Sequence, residues 1–306
     1  MKKRTFSLVI AIFVFMLFAT GCGMISKKDE GPIKVGLLLM SSPDDKDTEG
    51  YYGYNALKAL ENKYGVEIAY NDNIRNEDNA GFLLNSYGKK EYDLVIGIGS
   101  MFQEPMLDVA PSYVNTKFVY IGGEVSENNV LSYTLPVDDI GYIAGVLAAG
   151  FNENKSDNIA YIQNEMGTNY YDGFLKGVRE VNSQTSVIEF LLKNDDTFTG
   201  VVDKFKGNNI GIAGLMFYSS SFEKVLGERA YLFSALGGGV DGTSVPRIII
   251  NYDLLLELVY LEFLKGANGG ENISLSLEDD ILNVYGLDLV DTPYRARVEA
   301  ILPTGN

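Results

Sequence analysis

The chain has 306 residues, 46% of them hydrophobic and 22% charged, with a formal net charge of −16. That acidity counts against a nucleic-acid-binding role, which draws its affinity from lysines and arginines neutralising phosphates. With no histidine, the usual proton shuttle near neutral pH and the commonest metal ligand are missing; with one cysteine, Cys22, no internal disulfide can form and stability must come from a buried core.

The chain opens on a processing signal. Lys2, Lys3 and Arg4 form a basic segment, Phe6 to Phe18 an apolar one, and Ala19-Thr20-Gly21-Cys22 closes it with small residues before the cysteine. This pattern resembles a bacterial lipoprotein signal, with residues 1–21 removed and Cys22 lipidated. An ordinary cleaved signal and an uncleaved anchor are the alternatives, although the apolar run is short for a spanning helix. Removing the three basic residues takes the net charge from −16 to −19. Residues 22–32 read as the lipidated cysteine and a polar tether, leaving a mature chain long enough for one large or two ordinary domains.

Strands and helices then alternate. Ile33–Leu39 reads as a buried strand, Tyr51–Tyr64 as a helix ended by Gly65, Val66–Tyr70 as a strand, and Ala80–Tyr87 as a helix. Leu94–Ile98 is too short for a helix and too continuously apolar for a half-exposed strand, so it predicts a strand covered on both faces of a parallel sheet. It runs through Gly97 and Gly99 into a helix from about Gln103 to Ala110. Lys117–Gly123 and Val130–Thr134 are further strands. Ile140–Phe151, rich in alanine and glycine, predicts a helix that lets another backbone come close and carries the chain between lobes. The pattern restarts with strands at 158–162, 186–192, 210–215 and 247–251, helices at 170–181, 199–206, 219–226 and 254–265, and last strands at 281–285 and 287–290. Regular alternation predicts an α/β fold of two successive lobes with mainly parallel sheets flanked by helices. In such sheets ligands bind beyond the carboxyl ends of the strands, which puts Gly99, Ser100, Met101 and Phe102 at one wall of a site.

Several segments, in order, resemble the basic membrane protein family of lipoproteins, the solute-binding components of ABC importers that bind purine nucleosides. They are Asp44-Asp45-Lys46, Tyr92–Gly99, Asn115–Ile121, Ile143–Ala149, Tyr171–Val178 and Gly239-Val240-Asp241. The resemblance implies a two-lobed type I periplasmic-binding-protein fold. Its first lobe would comprise residues 33–136 and about 252–285, its second 137–251 and about 286–306. It also implies a nucleoside-like ligand in the cleft, an ABC permease as partner, and a monomer anchored by lipid at the extracytoplasmic face of the cell membrane. No cofactor, metal or catalytic residue is expected. The chain departs from the family pattern after the first strand, where Met40 or Ser41 stands in place of an acid, and at Leu215–Ser219, where a glycine-rich turn is replaced.

A nucleoside needs aromatic faces for its base and carboxylates or amides for its hydroxyls. Asp241, after a glycine run, matches the family position that contacts the ribose; as plain sequence, Asp241-Gly242 also reads as a turn. Asp45 in the first loop is a ligand contact, a helix N-cap or a solvated acid. Tyr51 and Tyr52 either stack on the base or are ordinary helix residues, and Phe102 either flanks the base or is core. Among Tyr170, Phe217 and Tyr218, one facing the cleft is expected. Asp138 and Asp139 precede a helix and fit capping better than acid–base chemistry. A sensory or regulatory lipoprotein of the same fold is the alternative function. A carboxylate-dependent hydrolase is disfavoured by the missing histidine.

Overall fold

The computed structural model describes residues 31–303 except 47, 126, 128, 152–157, 165–168, 193–197, 209, 217–230, 235–245 and 268. It divides into two units, 1–32 and 33–306, and the second is described below. Cys22 lies outside the described residues, as do Tyr218, Asp241 and the helix expected at 219–226.

The first sheet is built from β1 (Lys34–Leu38), β2 (Glu67–Asn71), β3 (Leu94–Ile98), β4 (Lys117–Ile121), β5 (Val130–Thr134) and β11 (Asn272–Ser274), in the order β11-β5-β4-β3-β1-β2. Every pairing in it is parallel. All five residues of β3 are buried, as expected of a central strand covered on both faces. Side chains alternate between the faces along each strand. Val35, Leu37, Leu94, Ile96 and Val119 pack under helix α1 (Glu49–Tyr64) and helix α7 (Tyr252–Leu264). Leu38, Val95, Phe118 and Tyr120 face the other way, onto α2 (Glu77–Lys89) and α3 (Gln103–Val109). Gly65 ends α1 with φ 67°. Two helices begin earlier than apolar spacing suggests because a polar residue caps them: Asn76 accepts the Asn79 N–H at 2.8 Å and Asn251 accepts that of Leu254 at 3.2 Å.

From β5 the chain enters α4 (Val137–Phe151), which packs along α5 (Tyr171–Val181). Gly141 and Gly145 on α4 meet Gly173 and Gly177 on α5, so the contact is backbone on backbone. A methyl group on Gly145 would overlap Phe174 O and lie 2.9 Å from its carbonyl carbon; one on Gly177 would come 2.8 Å from Val146 N. The expectation of a close-packing helix at 140–151 is met. The second sheet consists of β6 (Asn158–Asn164), β7 (Ser186–Leu192), β8 (Ile210–Leu215) and β9 (Tyr231–Ser234), all parallel in the order β7-β6-β8-β9. One face rests on α4 and α5 through Ile159, Tyr161 and Ile212. The other buries Ala160, Ile162 and Phe190 against Val201 and Phe205 of α6 (Phe198–Gly207).

The last part of the chain revisits both sheets. Helix α7 returns to α1, where Tyr260 packs on Tyr64 with ring centroids 4.8 Å apart and Glu257 meets Lys63 Nζ at 2.5 Å. β11 then extends the first sheet. β12 (Leu282–Tyr285) pairs antiparallel with β10 (Arg247–Ile250), joining residues that the sequence reading assigned to different lobes. Leu287–Val290 is not the strand expected there. Gly286, at φ 70°, turns the chain into a 3₁₀ turn over Leu287–Leu289, and α8 (Thr292–Glu299), with proline in its first turn, lies against α4.

Candidate functional site

In the first sheet the strand order reverses direction between β1 and β3, so a crevice opens beyond their carboxyl ends. Gly99 has φ 108°, a conformation that L side chains rarely adopt. A methyl group there would lie 2.6 Å from Met40 Sδ, and Gly122, at the end of β4, also packs on Gly99. The ends of three strands therefore converge around Gly99.

The N-terminus of α1 is drawn onto this point. Gly50 donates its N–H to Ser41 Oγ at 2.8 Å, and a methyl group on Gly50 would sit 2.6 Å from the Ser41 carbonyl carbon. Thr48, rather than Asp45, caps the helix: its Oγ1 accepts the Tyr51 N–H at 3.4 Å and donates to Asp45 O at 2.8 Å. Asp45 contributes its carbonyl to this turn and leaves its side chain in an exposed loop.

Glu49 follows the cap and was not singled out from sequence. Its Oε1 is enclosed and has no hydrogen-bond partner. Burial pushes its carboxyl up to about 7, while the backbone N–H of Met40 pulls it down. An acid therefore does reach the end of β1, supplied by α1 instead of by the strand itself.

Tyrosine rings gather at this end of α1. Tyr51 and Tyr52, both half-buried, meet edge to face with centroids 5.4 Å apart. Tyr52 and Tyr252, the first residue of α7, lie almost parallel, 9° between planes and 6.5 Å between centroids. Burial raises the Tyr252 hydroxyl well above its usual range, with the charges of Glu49 and Tyr170 adding to the effect. Tyr170 stands just before α5, is buried, and donates its backbone N–H to Oη of Tyr161 in the second sheet at 3.0 Å. Tyr161 Oη in turn donates to Gln163 Oε1 at 2.5 Å. Elements of both sheets thus meet through Tyr252.

The structure brings Tyr51, Tyr52 and Tyr170 into this neighbourhood, with Gly99 at the adjoining strand end. Ser100 is exposed in a 3₁₀ turn. Phe102 belongs to the core: it is fully buried and packs with Leu38, Val95 and Met106. Asp138 and Asp139 occupy the first turn of α4, where they complement the helix dipole. Among the described residues no cluster of three acidic, cysteine or histidine side chains could hold a metal, and no helix is long and apolar enough to cross a membrane.

Two lobes of parallel sheet flanked by helices, with a crevice at a strand-order reversal, define a type I periplasmic-binding-protein-like fold. The chain belongs to the ABC transporter substrate-binding protein PnrA-like (Bmp) family, whose model matches residues 33–196. Among its relatives, the transcriptional activator protein med of Bacillus subtilis is 24% identical over 97% of this chain and 96% of its own length. Among solved structures, a transcriptional activator of the comK gene from Bacillus halodurans superimposes with a TM-score of 0.69 at 16% identity, covering 87% of this chain and 95% of that one. An ABC transporter solute-binding protein from Aeropyrum pernix K1 gives a TM-score of 0.69 at 16% identity, covering 90% of this chain and 82% of that one.

Proposed function

We propose that the protein is a solute-binding lipoprotein, anchored through lipid on Cys22 at the extracytoplasmic face of the cell membrane, whose lobes close on a nucleoside-like molecule. The closed form would then dock on an ABC permease. The observation that carries this reading is the crevice at the end of β1. There an enclosed carboxyl stands beside the near-parallel rings of Tyr52 and Tyr252, which suits a flat base with polar edges. Asp241 would take the ribose hydroxyls. Binding and hinge closure suffice for this role, and no bond of the ligand is broken.

A regulatory reading is favoured by one specific observation: the relative that matches almost the whole chain is named a transcriptional activator. In that role the same cleft would sense a ligand or face a partner protein, and transport would not follow.

Thermal unfolding of the full-length chain in detergent micelles, with nucleosides, free bases and ribose, separates the two. A ligand at a hundred times its Kd stabilises the folded state by about 2.7 kcal/mol, a rise in Tm of about 5–10 °C for a chain of this size. The nucleoside reading expects that rise with at least one nucleoside and its loss in Asp241→Ala. No shift with any nucleoside would refute it and leave the regulatory reading.

A further inference from the structure

Glu49 is half-buried, and one of its carboxyl oxygens is enclosed. The carboxyl sits in the first turn of α1, and the helix is held there by the close approach of Gly50 to Ser41. Its Oε1 has no donor, although buried carboxylate oxygens are normally satisfied. The groups that act on it come from three directions. Met40 supplies a backbone N–H from the end of β1. Tyr252 faces it from the start of α7 and also feels Tyr170, from the second sheet. Tyr51 and Tyr52 belong to its own helix, and Asp44, Asp45 and Lys46 lie exposed in the loop before it. Among the described residues no lysine or arginine acts on it.

An acceptor with no donor of its own, beside parallel aromatic faces at a strand-order reversal, complements a planar molecule that carries an N–H on its edge. We propose that Glu49 is a specificity-determining residue whose Oε1 accepts a hydrogen bond from an N–H of the ligand's heterocycle. This rests on the nucleoside reading above and adds to it a requirement on the base: purines bearing an N–H bind, and a purine ring bearing none is discriminated against. The ionised carboxylate is the stronger acceptor, so the ligand must displace the proton that burial favours. Affinity should therefore rise with pH until Glu49 is ionised in the free protein, and then level off.

The test is titration calorimetry on the full-length chain in detergent micelles, with inosine, guanosine and adenosine against purine riboside, whose base has no N–H. The expected result for the wild type is binding of at least one of the first three about 10–100-fold tighter than purine riboside, the range for a hydrogen bond to a charged group. Glu49→Leu, which removes the acceptor, should lose that advantage while leaving purine riboside affinity within about twofold, and Glu49→Gln, which keeps a neutral acceptor oxygen, should retain only part of it. Below pH 7, wild-type affinity for the N–H ligand should fall by up to about tenfold per pH unit, and Glu49→Gln should be flat. Glu49→Asp, which keeps the charge, should keep the pH dependence even if its shorter reach weakens binding, and serves if Glu49→Gln does not fold. Nucleoside binding that is unchanged in Glu49→Leu, or reduced equally for purine riboside and inosine, overturns the role of Glu49 and leaves the nucleoside reading standing. No nucleoside binding in the wild type overturns both. Binding of choline in place of nucleosides does the same, and points to a cationic ligand.

Discussion

Replacing Gly145 by alanine adds one methyl group at the point where α4 and α5 touch through their backbones. That methyl would overlap Phe174 O and lie 2.9 Å from Phe174 C and 3.0 Å from Val178 N. None of these atoms is the free end of a side chain, so relief requires the helices to separate by on the order of 1 Å. Overpacking of this kind costs typically 1–3 kcal/mol, and more where backbone must shift. Alanine returns about 1 kcal/mol through its better helix propensity. At the upper end of that range, where backbone atoms are what the methyl meets, the net expectation is a loss of about 2 kcal/mol, seen as a fall in Tm of about 4–8 °C. Circular dichroism during thermal and urea unfolding measures it. The control is Gly207→Ala at the exposed end of α6, where a methyl group meets nothing within 4 Å; it should change stability by less than about 1 kcal/mol. If Gly145→Ala unfolds at the same midpoint as the wild type, or no lower than the control, the backbone contact between the two helices is not what the geometry says it is.

Other consequences are open to measurement. Asn129 Nδ2 donates to the carbonyls of Ala110, Tyr113 and Thr116 at 2.8, 3.0 and 3.1 Å; Asn129→Ala strands them and should cost about 2–4 kcal/mol in urea unfolding, whereas a loss under 1 kcal/mol would mean water replaces the amide. Gly99→Ala forces a side chain into φ 108° against Met40 and should destabilise the chain by about 1–3 kcal/mol; an unchanged unfolding midpoint would refute the strain. Because Glu49 is lifted from 4.5 to about 7 in the folded chain, the folded state binds the proton more tightly than the unfolded one. Its contribution is therefore complete below pH 4.5 and lost as pH rises through about 7, by about 3 kcal/mol. Unfolding midpoints of Glu49→Gln and wild type should lie close together at pH 4 and separate as pH rises toward 8, the wild type falling and the variant lacking that slope; parallel profiles would refute the assignment.

The alternation of strands and helices was legible because each central strand is a short, continuous apolar run, as in Leu94–Ile98. The Gly and Ala content of α4 likewise announced its close packing. Two elements at the end of the chain were not legible. Asn272–Ser274 is three residues long and polar, giving no period to read, and becomes a strand only because β5 offers an open edge. Leu287–Val290 has strand composition, but Gly286 sets a left-handed turn ahead of it. Around the crevice, Tyr51, Tyr52 and Tyr170 were named from sequence, while Tyr252 and Glu49 were not. An acid in the first turn of a helix ordinarily reads as a complement to the helix dipole, and its burial depends on Gly50 meeting Ser41, a contact that no local pattern encodes. Phe102, which the sequence left open between base contact and core, lies in the core after the 3₁₀ turn that follows Gly99.

The sixth strand of the first sheet has a consequence for how the chain is made. Ser132 Oγ donates to Asn272 Oδ1 at 2.9 Å across a separation of 140 residues, so β5 waits for its neighbour until nearly the whole polypeptide has been synthesised. Until then a mostly apolar, parallel strand edge stands open, the kind of surface that invites wrong pairings. Helix α7, which covers the same sheet, arrives equally late. The first sheet therefore cannot be completed before Ser274 has been made.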